Sequence, residues 1–362
     1  MTTLKVVAAR AGVSLATAAR VLRDDPTLSV RPATRERVVG AARDLGYRPN
    51  RLASGLRTRR TGTIALVLPD PQNVAWSETL RGVERAAAAR EYVVVVADAH
   101  GPTLDAQQLS RFVLESRMDG LLVAFATIED ELVAQIVGRG LPLVPINSRS
   151  ANVDASVTMD DAIGSRLAVD HLASLGHERI GFLAGRADTD VGRRREAGYR
   201  DAMADHALAV DPAWVLPGDY TERTARDLAR VALRTPAASR PTAFFTVNLQ
   251  SALGFRTAAR EAGVQIPENV SLVTIDDHPF LDHTDPPLTA VQLPMAEMGE
   301  LGAAMLLDVV EGRQMGHVVT ATPPRLVVRR STAPPPGAPA PRAATTPPTS
   351  AAPRHAAAPP RG

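Results

Sequence analysis

A short run near the start of the chain, residues 4–22, reads LKVVAARAGVSLATAARVL. Its apolar residues recur at helical spacing on both sides of Gly12, which predicts two short helices over Leu4–Ala11 and Leu15–Arg23. Glycine readily adopts the left-handed backbone that ends many helices, and Ser14 is a good N-cap for the second helix. The run therefore predicts a helix, a tight turn and a second helix.

A third helix is predicted from Pro32, which suits a first helical position, to about Leu45. The residues that would then share one apolar face are Val38, Ala41, Ala42 and Leu45. Two helices around a glycine turn with a third helix behind them form the helix-turn-helix pattern, whose second helix enters the major groove of DNA. Residues 1–49 are therefore predicted to form a small all-α DNA-binding domain.

The charge of the chain is unevenly distributed. The total is 41 basic and 39 acidic side chains, a formal net charge of +2. Residues 1–60 contain 13 basic and 4 acidic side chains, a net charge of +9, whereas residues 61–332 carry a net charge of −10. A basic head on an acidic body is typical of proteins that bind nucleic acid or another anionic surface.

Composition and motifs exclude several classes of protein. The chain has no cysteine, so disulfides, thiolate metal sites and cysteine nucleophiles are excluded. Its apolar runs, such as residues 92–97, are shorter than the roughly 18–20 residues of a membrane span, and no secretory signal is visible at its start. We find no phosphate-binding loop, serine elbow, zinc motif or dinucleotide fingerprint. We therefore expect a cytoplasmic protein that is no enzyme and has no metal, no cofactor and no membrane segment.

The body, from about residue 61, alternates apolar strand-like runs with amphipathic helical stretches. Helices are predicted over residues 77–90, 104–117, 129–138, 163–175, 193–206, 221–233 and 249–262. Such alternation predicts βαβ units and parallel sheet. The runs fall into two sets, residues 64–147 and 163–276, which favours two doubly wound lobes over one large α/β domain. Residues 333–362 contain 10 Pro and 10 Ala, and we expect them to be disordered.

Residues 3–332 resemble the LacI/GalR family of bacterial transcription regulators. The stretches that carry the resemblance are 7–22, 34–38 (TRERV), 45–50 (LGYRPN), 67–70 (VLPD), 118–120 (MDG), 171–177 (HLASLGH), 275–277 (IDD), 286–289 (PPLT) and 326–332 (LVVRRST). The resemblance implies that residues 61–332 form an effector-binding and dimerisation domain like a periplasmic binding protein, whose two lobes are joined by crossovers near residues 158, 289 and 320.

The resemblance also assigns residues to DNA. It places Leu15, Ala16 and Arg20 at the positions that read bases. Arginine can donate two hydrogen bonds to guanine, while leucine and alanine can pack against the thymine methyl group. The side chains expected at the DNA backbone are Ser14, Thr17 and Asn50. The alternative for Arg20 is an ordinary solvated charge. The following loop is slightly longer than is usual in the family, and its acids, Asp24 and Asp25, are expected to face away from DNA.

Residues 50–60 resemble the hinge helix and linker of the family. In the family, two such helices fold on DNA and insert a leucine into the minor groove, a device that kinks the duplex. Leu56 holds that position here, with Arg51 and Ala53 beside it. The alternative is that this segment is only a basic linker.

The resemblance further implies a small-molecule site between the lobes. The residues expected to bind the effector are Asp70, Trp76, Asn147, Arg195, Tyr220, Asn248 and Asp276, several of which follow an apolar strand, where ligands of α/β sheets bind. Carboxylate, amide and guanidinium groups favour a sugar-like ligand, with a nucleobase or nucleoside as the alternative. The alternative roles are a strand-end cap for Asp276, an ion-pair donor for Arg195, and a core or dimer contact for Trp76.

The expected function is that of a sequence-specific transcriptional regulator, a repressor in which the effector allosterically controls operator affinity. A homodimer is expected, because two heads must match a palindromic operator, with the helices over 77–90 and 104–117 and regions of the second lobe at its interface. The alternative is a transport-type solute-binding protein, which shares the body. It would need a signal peptide and would not need a head of net charge +9.

Overall fold

The computed structural model describes residues 2–22, 24–25, 27–47, 60–71, 73–99, 118–124 and 130–337. The head contains three helices, α1 (Leu4–Ala11), α2 (Leu15–Val21) and α3 (Pro32–Asp44). Gly12 ends α1 in the left-handed conformation, with φ 64° and ψ 40°. The hydroxyl of Ser14 accepts a hydrogen bond from the backbone N–H of Thr17 at 3.0 Å and so caps α2. The predicted helix-turn-helix is confirmed, although α2 ends at Val21.

The three short helices are held together by a core of small apolar side chains. Its buried members are Val7, Ala8, Ala11, Ala18, Val21, Val38, Ala41 and Ala42, and Val13 and Leu45 pack at its edge. Helices of 7 to 13 residues are marginal on their own in water, so this packing stabilises them. The core fixes which face of α2 is buried.

The whole chain, head included, divides into two compact units, and the chain passes from one to the other three times. The first comprises residues 1–159 and 294–322, and the second comprises residues 160–293 and the segment that begins at Pro323. Each unit contains a six-stranded sheet. The fold class predicted from the alternating runs, two doubly wound α/β lobes behind an all-α head, is confirmed.

The sheet of the first unit is entirely parallel and has the order β11-β5-β4-β3-β1-β2. Its strands are β1 (Thr63–Leu68), β2 (Val93–Asp98), β3 (Gly120–Ala124), β4 (Leu143–Ile146), β5 (Ser156–Thr158) and β11 (His317–Val319). The helices described in this unit are α4 (Trp76–Ala89), α5 (Asp130–Gly138) and α10 (Met295–Val310). Every residue of β3 and β4 is buried, as expected for parallel strands covered on both faces.

The sheet of the second unit has the order β12-β10-β9-β8-β6-β7. Its strands are β6 (Ile180–Ala184), β7 (Val215–Pro217), β8 (Ala243–Thr246), β9 (Ser271–Ile275), β10 (Thr289–Gln292) and β12 (Arg325–Val327). Only the edge pair β10 and β12 is antiparallel. The helices are α6 (Asp161–Ser174), α7 (Asp190–Asp205), α8 (Glu222–Arg234) and α9 (Leu249–Glu261). Phe182 stacks between Tyr199 and Phe245 in the core, with ring centroids 4.9 Å apart in both pairs.

Several elements differ from the predictions. The helix α10 and the strands β10, β11 and β12 were not predicted, because the pattern of alternating runs was followed only to residue 276. The strands β5 and β7 lie before that point and were not predicted either, because three residues are too few to show a period. The predicted helix over 104–117 lies outside the described residues. The disordered segment was predicted to begin at Ala333, but the backbone N–H of Ala333 donates a hydrogen bond to the hydroxyl of Ser271 at 3.0 Å. Within the described residues, no helix is long and apolar enough to cross a bilayer.

Candidate nucleic-acid interface and ligand site

The recognition helix α2 has one buried face and one exposed face. Ala18 and Val21 are buried in the head, whereas Leu15 is 52% exposed and Ala16 is also exposed. Arg20 lies just over one helical turn beyond Ala16, with 43% of its side chain exposed. The three predicted base-reading side chains are therefore all accessible, and the first two stand at the N-terminal end of the helix, where such proteins meet base edges.

Of the residues predicted to contact the DNA backbone, Ser14 and Thr17 are among the described residues. Ser14 is exposed, and its hydroxyl lies 2.9 Å from that of Thr17 while it caps α2. Free backbone N–H groups at a helix start favour phosphate. Asn50 and the three hinge residues, Arg51, Ala53 and Leu56, lie outside the described residues.

Arg20 is held by the loop that follows its helix. Its Nε donates to Oδ2 of Asp25 at 2.7 Å, and its Nη2 donates to the hydroxyl of Thr27 at 2.8 Å. The Arg20 guanidinium, followed by the Thr27 hydroxyl, holds the pKa of Asp25 well below its usual range. Asp25 was expected to face away from DNA, yet it contacts the predicted base-reading arginine directly. Its neighbour Asp24 pairs instead with Arg35 of α3 at 2.5 Å.

Four of the seven predicted effector residues lie in the second unit, beyond the carboxyl ends of its strands. Tyr220 follows β7, Asn248 follows β8, Asp276 directly follows β9, and Arg195 lies in the second turn of α7, the helix after β6. In a parallel sheet these strand ends share one edge, which is where α/β proteins bind ligands. The fold therefore brings these four residues to the same edge of the sheet.

Arg195 is buried and ion-paired. Its side chain is 5% exposed, its Nε donates to Oδ1 of Asp161 at 2.8 Å, and its Nη1 donates to the carbonyl of Val247 at 2.6 Å. Burial acts to lower the pKa of Arg195, but the negative charges of Asp161 and Asp276 outweigh it and leave that pKa above its ordinary value. Asp161 is fully buried and also accepts from Arg194 at 2.6 Å. Sequence reasoning assigned no role to Asp161, because nothing in a lone acidic residue reveals a partner 34 residues away.

Asp276 is a buried carboxylate at the same edge of the sheet. Burial raises its pKa, while the charge of Arg195 opposes this shift, and the carboxylate also accepts a hydrogen bond from the backbone N–H of Leu249. That contact ties Asp276 to the first residue of α9, whose N-cap is Asn248. The charge of Asp276 nevertheless acts on Arg195, so the carboxylate and the guanidinium form one electrostatic group.

Tyr220 and Asn248 are tied to each other and to the backbone around them. Nδ2 of Asn248 donates to the carbonyl of Tyr220 at 3.0 Å, while its Oδ1 caps α9 by accepting from the Ser251 N–H. The hydroxyl of Tyr220 lies 2.8 Å from that of Thr189, the N-cap of α7. A Cβ on Gly185 would stand 2.3 Å from the Tyr220 ring, so this glycine is needed for the ring to lie where it does.

The other three predicted effector residues belong to the first unit. Asp70 follows β1 and is exposed, Trp76 begins α4 and is 8% exposed, and Asn147 directly follows β4 and is buried. The burial of Trp76 fits the core role that its sequence position left open. Asn147 is anchored through its backbone N–H, which donates to the carbonyl of Val157 at 2.8 Å.

Three of these polar residues share an unusual backbone conformation. Asn147, Tyr220 and Asp276 have φ values of 64°, 73° and 73°, in the left-handed region that residues other than glycine seldom adopt. Such strain costs of order 1–3 kcal/mol per residue and is concentrated at functional sites. No group of three or more metal-ligating side chains occurs in the part of the chain that the structure describes.

Comparison with known proteins places this architecture in a family. A family model described as bacterial regulatory proteins, lacI family, matches residues 3–50, and one described as a periplasmic binding protein-like domain matches residues 169–332. A solved LacI family transcriptional regulator from Mycobacterium smegmatis is 34% identical, over 75% of this chain and 99% of that chain, with a TM-score of 0.71. The chain belongs to the lacI family. It is a DNA-binding transcriptional regulator of that family.

Two further solved lacI-type structures cover nearly the whole chain. The transcriptional regulator CelR in complex with cellobiose is 30% identical, over 91% of this chain and all of that chain, with a TM-score of 0.67. The lac repressor dimer, bound to operator and the anti-inducer ONPF, is 26% identical, over 92% of this chain and 99% of that chain, with a TM-score of 0.77. The likeness to lacI-family regulators therefore extends through head and body together.

Proposed function

We propose that this lacI-family regulator is a cytoplasmic repressor that binds a palindromic operator as a homodimer and whose operator affinity is controlled by a small ligand. The observation that carries the DNA-binding part is the exposed face of α2, where Leu15, Ala16 and Arg20 stand clear of the head core. Two heads related by a dimer axis would place two such helices in successive major grooves. Ser14, Thr17 and Asn50 would fix the register on phosphates.

The hinge proposal rests on the resemblance of residues 50–60 to the family hinge helix. Leu56 would wedge into the minor groove at the operator centre, flanked by Arg51 and Ala53. We expect Leu56→Ala to weaken binding to operator more than binding to random DNA, because only the specific complex kinks the duplex. Parallel titrations of both DNAs measure this, and an equal loss on the two would contradict the hinge proposal.

The ligand proposal rests on the polar group at the strand ends of the second unit. Arg195 and Asp276 supply donors and an acceptor of opposite charge, and Asn248 and Tyr220 lie at the same edge of the sheet. Donors and acceptors placed together suit the vicinal hydroxyls of a sugar. Asp70, Trp76 and Asn147 of the first unit are proposed as ligand contacts from the family resemblance alone. The cellobiose bound by the related regulator CelR supports a sugar-like ligand for this chain.

Control of DNA binding requires that the ligand bind one state of the dimer better than another. By thermodynamic reciprocity, operator DNA must then change ligand affinity by the same factor. The test has two stages. An operator is selected from random DNA with the full chain, and sugars, sugar phosphates, nucleosides and purines are screened for a rise in melting temperature.

A stabilising sugar should change operator affinity. We expect a change of about 5- to 150-fold, the usual range of allosteric coupling. A sugar that binds and leaves operator affinity unchanged would contradict allosteric control, while a nucleoside or purine as the active ligand would replace the sugar proposal. We expect no chemical turnover of the bound ligand, and turnover would contradict a purely regulatory role.

A further inference from the structure

Two residues of the loop between α2 and α3, Asp25 and Thr27, hydrogen-bond the predicted base-reading arginine, Arg20. Oδ1 of Asp25 accepts from the backbone N–H and the hydroxyl of Thr27 at 2.9 and 2.7 Å, which closes a tight turn. Oδ2 of the same carboxylate accepts from Nε of Arg20 at 2.7 Å. Because both oxygens are engaged, the turn fixes the carboxylate, and the carboxylate fixes the arginine.

The two contacts use only one edge of the guanidinium. Nε and Nη2 of Arg20 each present an N–H on that edge, and these meet Asp25 and the hydroxyl of Thr27. A guanidinium has five N–H donors in a fixed plane, so the outer end keeps a parallel pair, one on Nη1 and one on Nη2. Such a pair is what bidentate recognition of guanine O6 and N7 requires. These contacts of Asp25 and Thr27, here called the clamp, therefore orient Arg20 without using the Nη1–Nη2 end that would read a base.

The two neighbouring acids of the loop, Asp24 and Asp25, differ in their ion-pair partners and in their exposure. Asp25 lies against α2 with 28% of its side chain exposed, whereas Asp24 pairs with Arg35 and its side chain is 91% exposed. Both carry one negative charge in the basic head, so both repel phosphates in a similar way. Only one of them touches a base-reading side chain. The loop thus provides its own matched control.

We propose that Asp25 is a positioning residue that holds Arg20 ready to read one guanine of the operator, and so sets sequence specificity without touching DNA. The inference rests on the proposed base-reading role of Arg20. A flexible arginine must be ordered when it meets guanine, and at an interface such ordering typically weakens binding about 2- to 10-fold. A clamped arginine has already been ordered by the fold, so this loss of affinity is avoided. The resulting gain in affinity applies only to DNA in which Arg20 contacts a guanine.

The experiment compares the base preference of the full-length wild type with that of full-length single-residue variants. The wild type selects an operator from random DNA, and Arg20→Ala identifies the position at which guanine preference is lost. Asp25→Asn then replaces the charged acceptor while an amide oxygen remains to accept from the Thr27 N–H, as asparagine commonly does in such turns. Asp24→Asn removes the same charge from the same loop. Melting temperature and affinity for random DNA are measured for each protein.

We expect Asp25→Asn to lower the preference for guanine over adenine at the Arg20 position by about 2- to 10-fold. Preferences at other positions should be unchanged, and Asp24→Asn should leave all preferences unchanged. Both variants should bind random DNA slightly better and equally so, because each removes one negative charge. Restoration of the preference by Asp25→Glu, whose longer carboxylate still reaches the arginine, would strengthen the assignment.

Three outcomes would contradict either the positioning role of Asp25 or the base-reading role of Arg20. If Asp25→Asn keeps or increases the guanine preference that Arg20→Ala removes, the positioning role is wrong although Arg20 reads the base. If it lowers preference at every position together with the melting temperature, Asp25 only stabilises the head, and the positioning role is again wrong. If Arg20→Ala changes no preference at all, the proposed base-reading role itself fails.

Discussion

At the scale of single residues, the buried carboxylate of Asp161 carries a negative charge that must be neutralised by nearby partners. It is fully buried and is shared by Arg195 and Arg194, whose side chains are 5% and 20% exposed. Its position at the start of α6 adds the favourable field of the helix N-terminus. The pair orients the Arg195 guanidinium at the candidate ligand site, so the same charge serves stability and binding.

Asp161→Ala is expected to destabilise the second unit by about 3–5 kcal/mol, because it leaves Arg195 charged and buried without its partner. Urea unfolding in a Trp76→Phe background measures this, since Trp214 is then the only tryptophan and lies in the second unit. Asp205→Ala is the control. It breaks an exposed pair with Arg166 and should change the free energy of unfolding by less than about 1 kcal/mol.

A second residue-scale prediction concerns His177, whose ring is buried. Its Nδ1 lies 2.8 Å from the hydroxyl of Thr242, and its Nε2 lies 3.1 Å from that of Ser271 and 2.8 Å from the carbonyl of Ala333. Burial, opposed by the Ala333 contact, lowers the pKa of His177 below 6.5. The unfolded chain therefore takes up a proton first as the pH falls.

We expect the free energy of unfolding of the second unit to fall as the pH drops from about 7.5 to about 5.5, because the unfolded state binds more protons in that range. His177→Gln should reduce this slope, and His171, whose pKa burial also lowers, should supply the remainder. His283→Gln, at an exposed position, is the control. A slope unchanged by His177→Gln would show that His177 does not titrate in this way.

At the scale of elements, α4 and α10 of the first unit pack closely against each other. A Cβ on Gly82 would stand 2.0 Å from the carbonyl oxygen of Ala296, and one on Gly299 would stand 2.2 Å from that of Thr79. Both near atoms belong to the backbone, so no side-chain rotation relieves the overlap. The two glycines together let the helix backbones approach each other.

Gly82→Ala is therefore expected to destabilise the first unit by about 1–3 kcal/mol, although alanine is normally the better helix residue. Urea unfolding in a Trp214→Phe background follows this through Trp76, which begins α4. Gly138→Ala, at the end of α5, has open space around the added methyl group and should be neutral or slightly stabilising. Equal effects of the two substitutions would contradict the close-packing argument.

The elements also show how far sequence reasoning reaches. Gly12, Ser14 and Pro32 each carry their signal locally, so the ends of α1, α2 and α3 were predicted to within two residues. Strands such as β5 and β12 contain three residues, too few to show a period, and they form only because neighbours pair with them. Contacts between residues far apart in the sequence cannot be predicted either, because they too depend on which elements the fold brings together. The Arg195–Asp161 pair is one example.

The candidate sites divide in a similar way. Family resemblance pointed to Arg20, because its position in the motif is local. It did not reveal that Asp25 clamps the guanidinium, since that contact depends on the conformation of a loop longer than is usual in the family. Likewise, the polar residues after β4, β7 and β9 were identified, but the left-handed backbone of Asn147, Tyr220 and Asp276 was not. Side-chain type is readable from a sequence, whereas strain is a property of the fold.

At the scale of the whole molecule, the net charge of +2 is the sum over a basic N-terminal region, an acidic body and three C-terminal arginines. The net charge of +9 belongs to residues 1–60, the segment that contains the DNA-binding head, and the −10 belongs to residues 61–332. Phosphates attract the first region and repel the second. Such a division favours binding through the heads and opposes contact of the acidic body with the duplex. The remaining three basic residues are the arginines of residues 338–362.

Operator and random-DNA affinity should therefore fall steeply with salt, because each phosphate neutralised by the heads releases counterions. If the heads of a dimer neutralise about 6–10 phosphates, affinity should fall by about 10³- to 10⁵-fold between 50 and 200 mM salt. Ending the chain at Gly337 removes three arginines, and we expect the slope of log affinity against log salt to remain the same. A slope shallower by about 0.9 for each lost contact would show that these arginines bind phosphate and that the heads do not act alone.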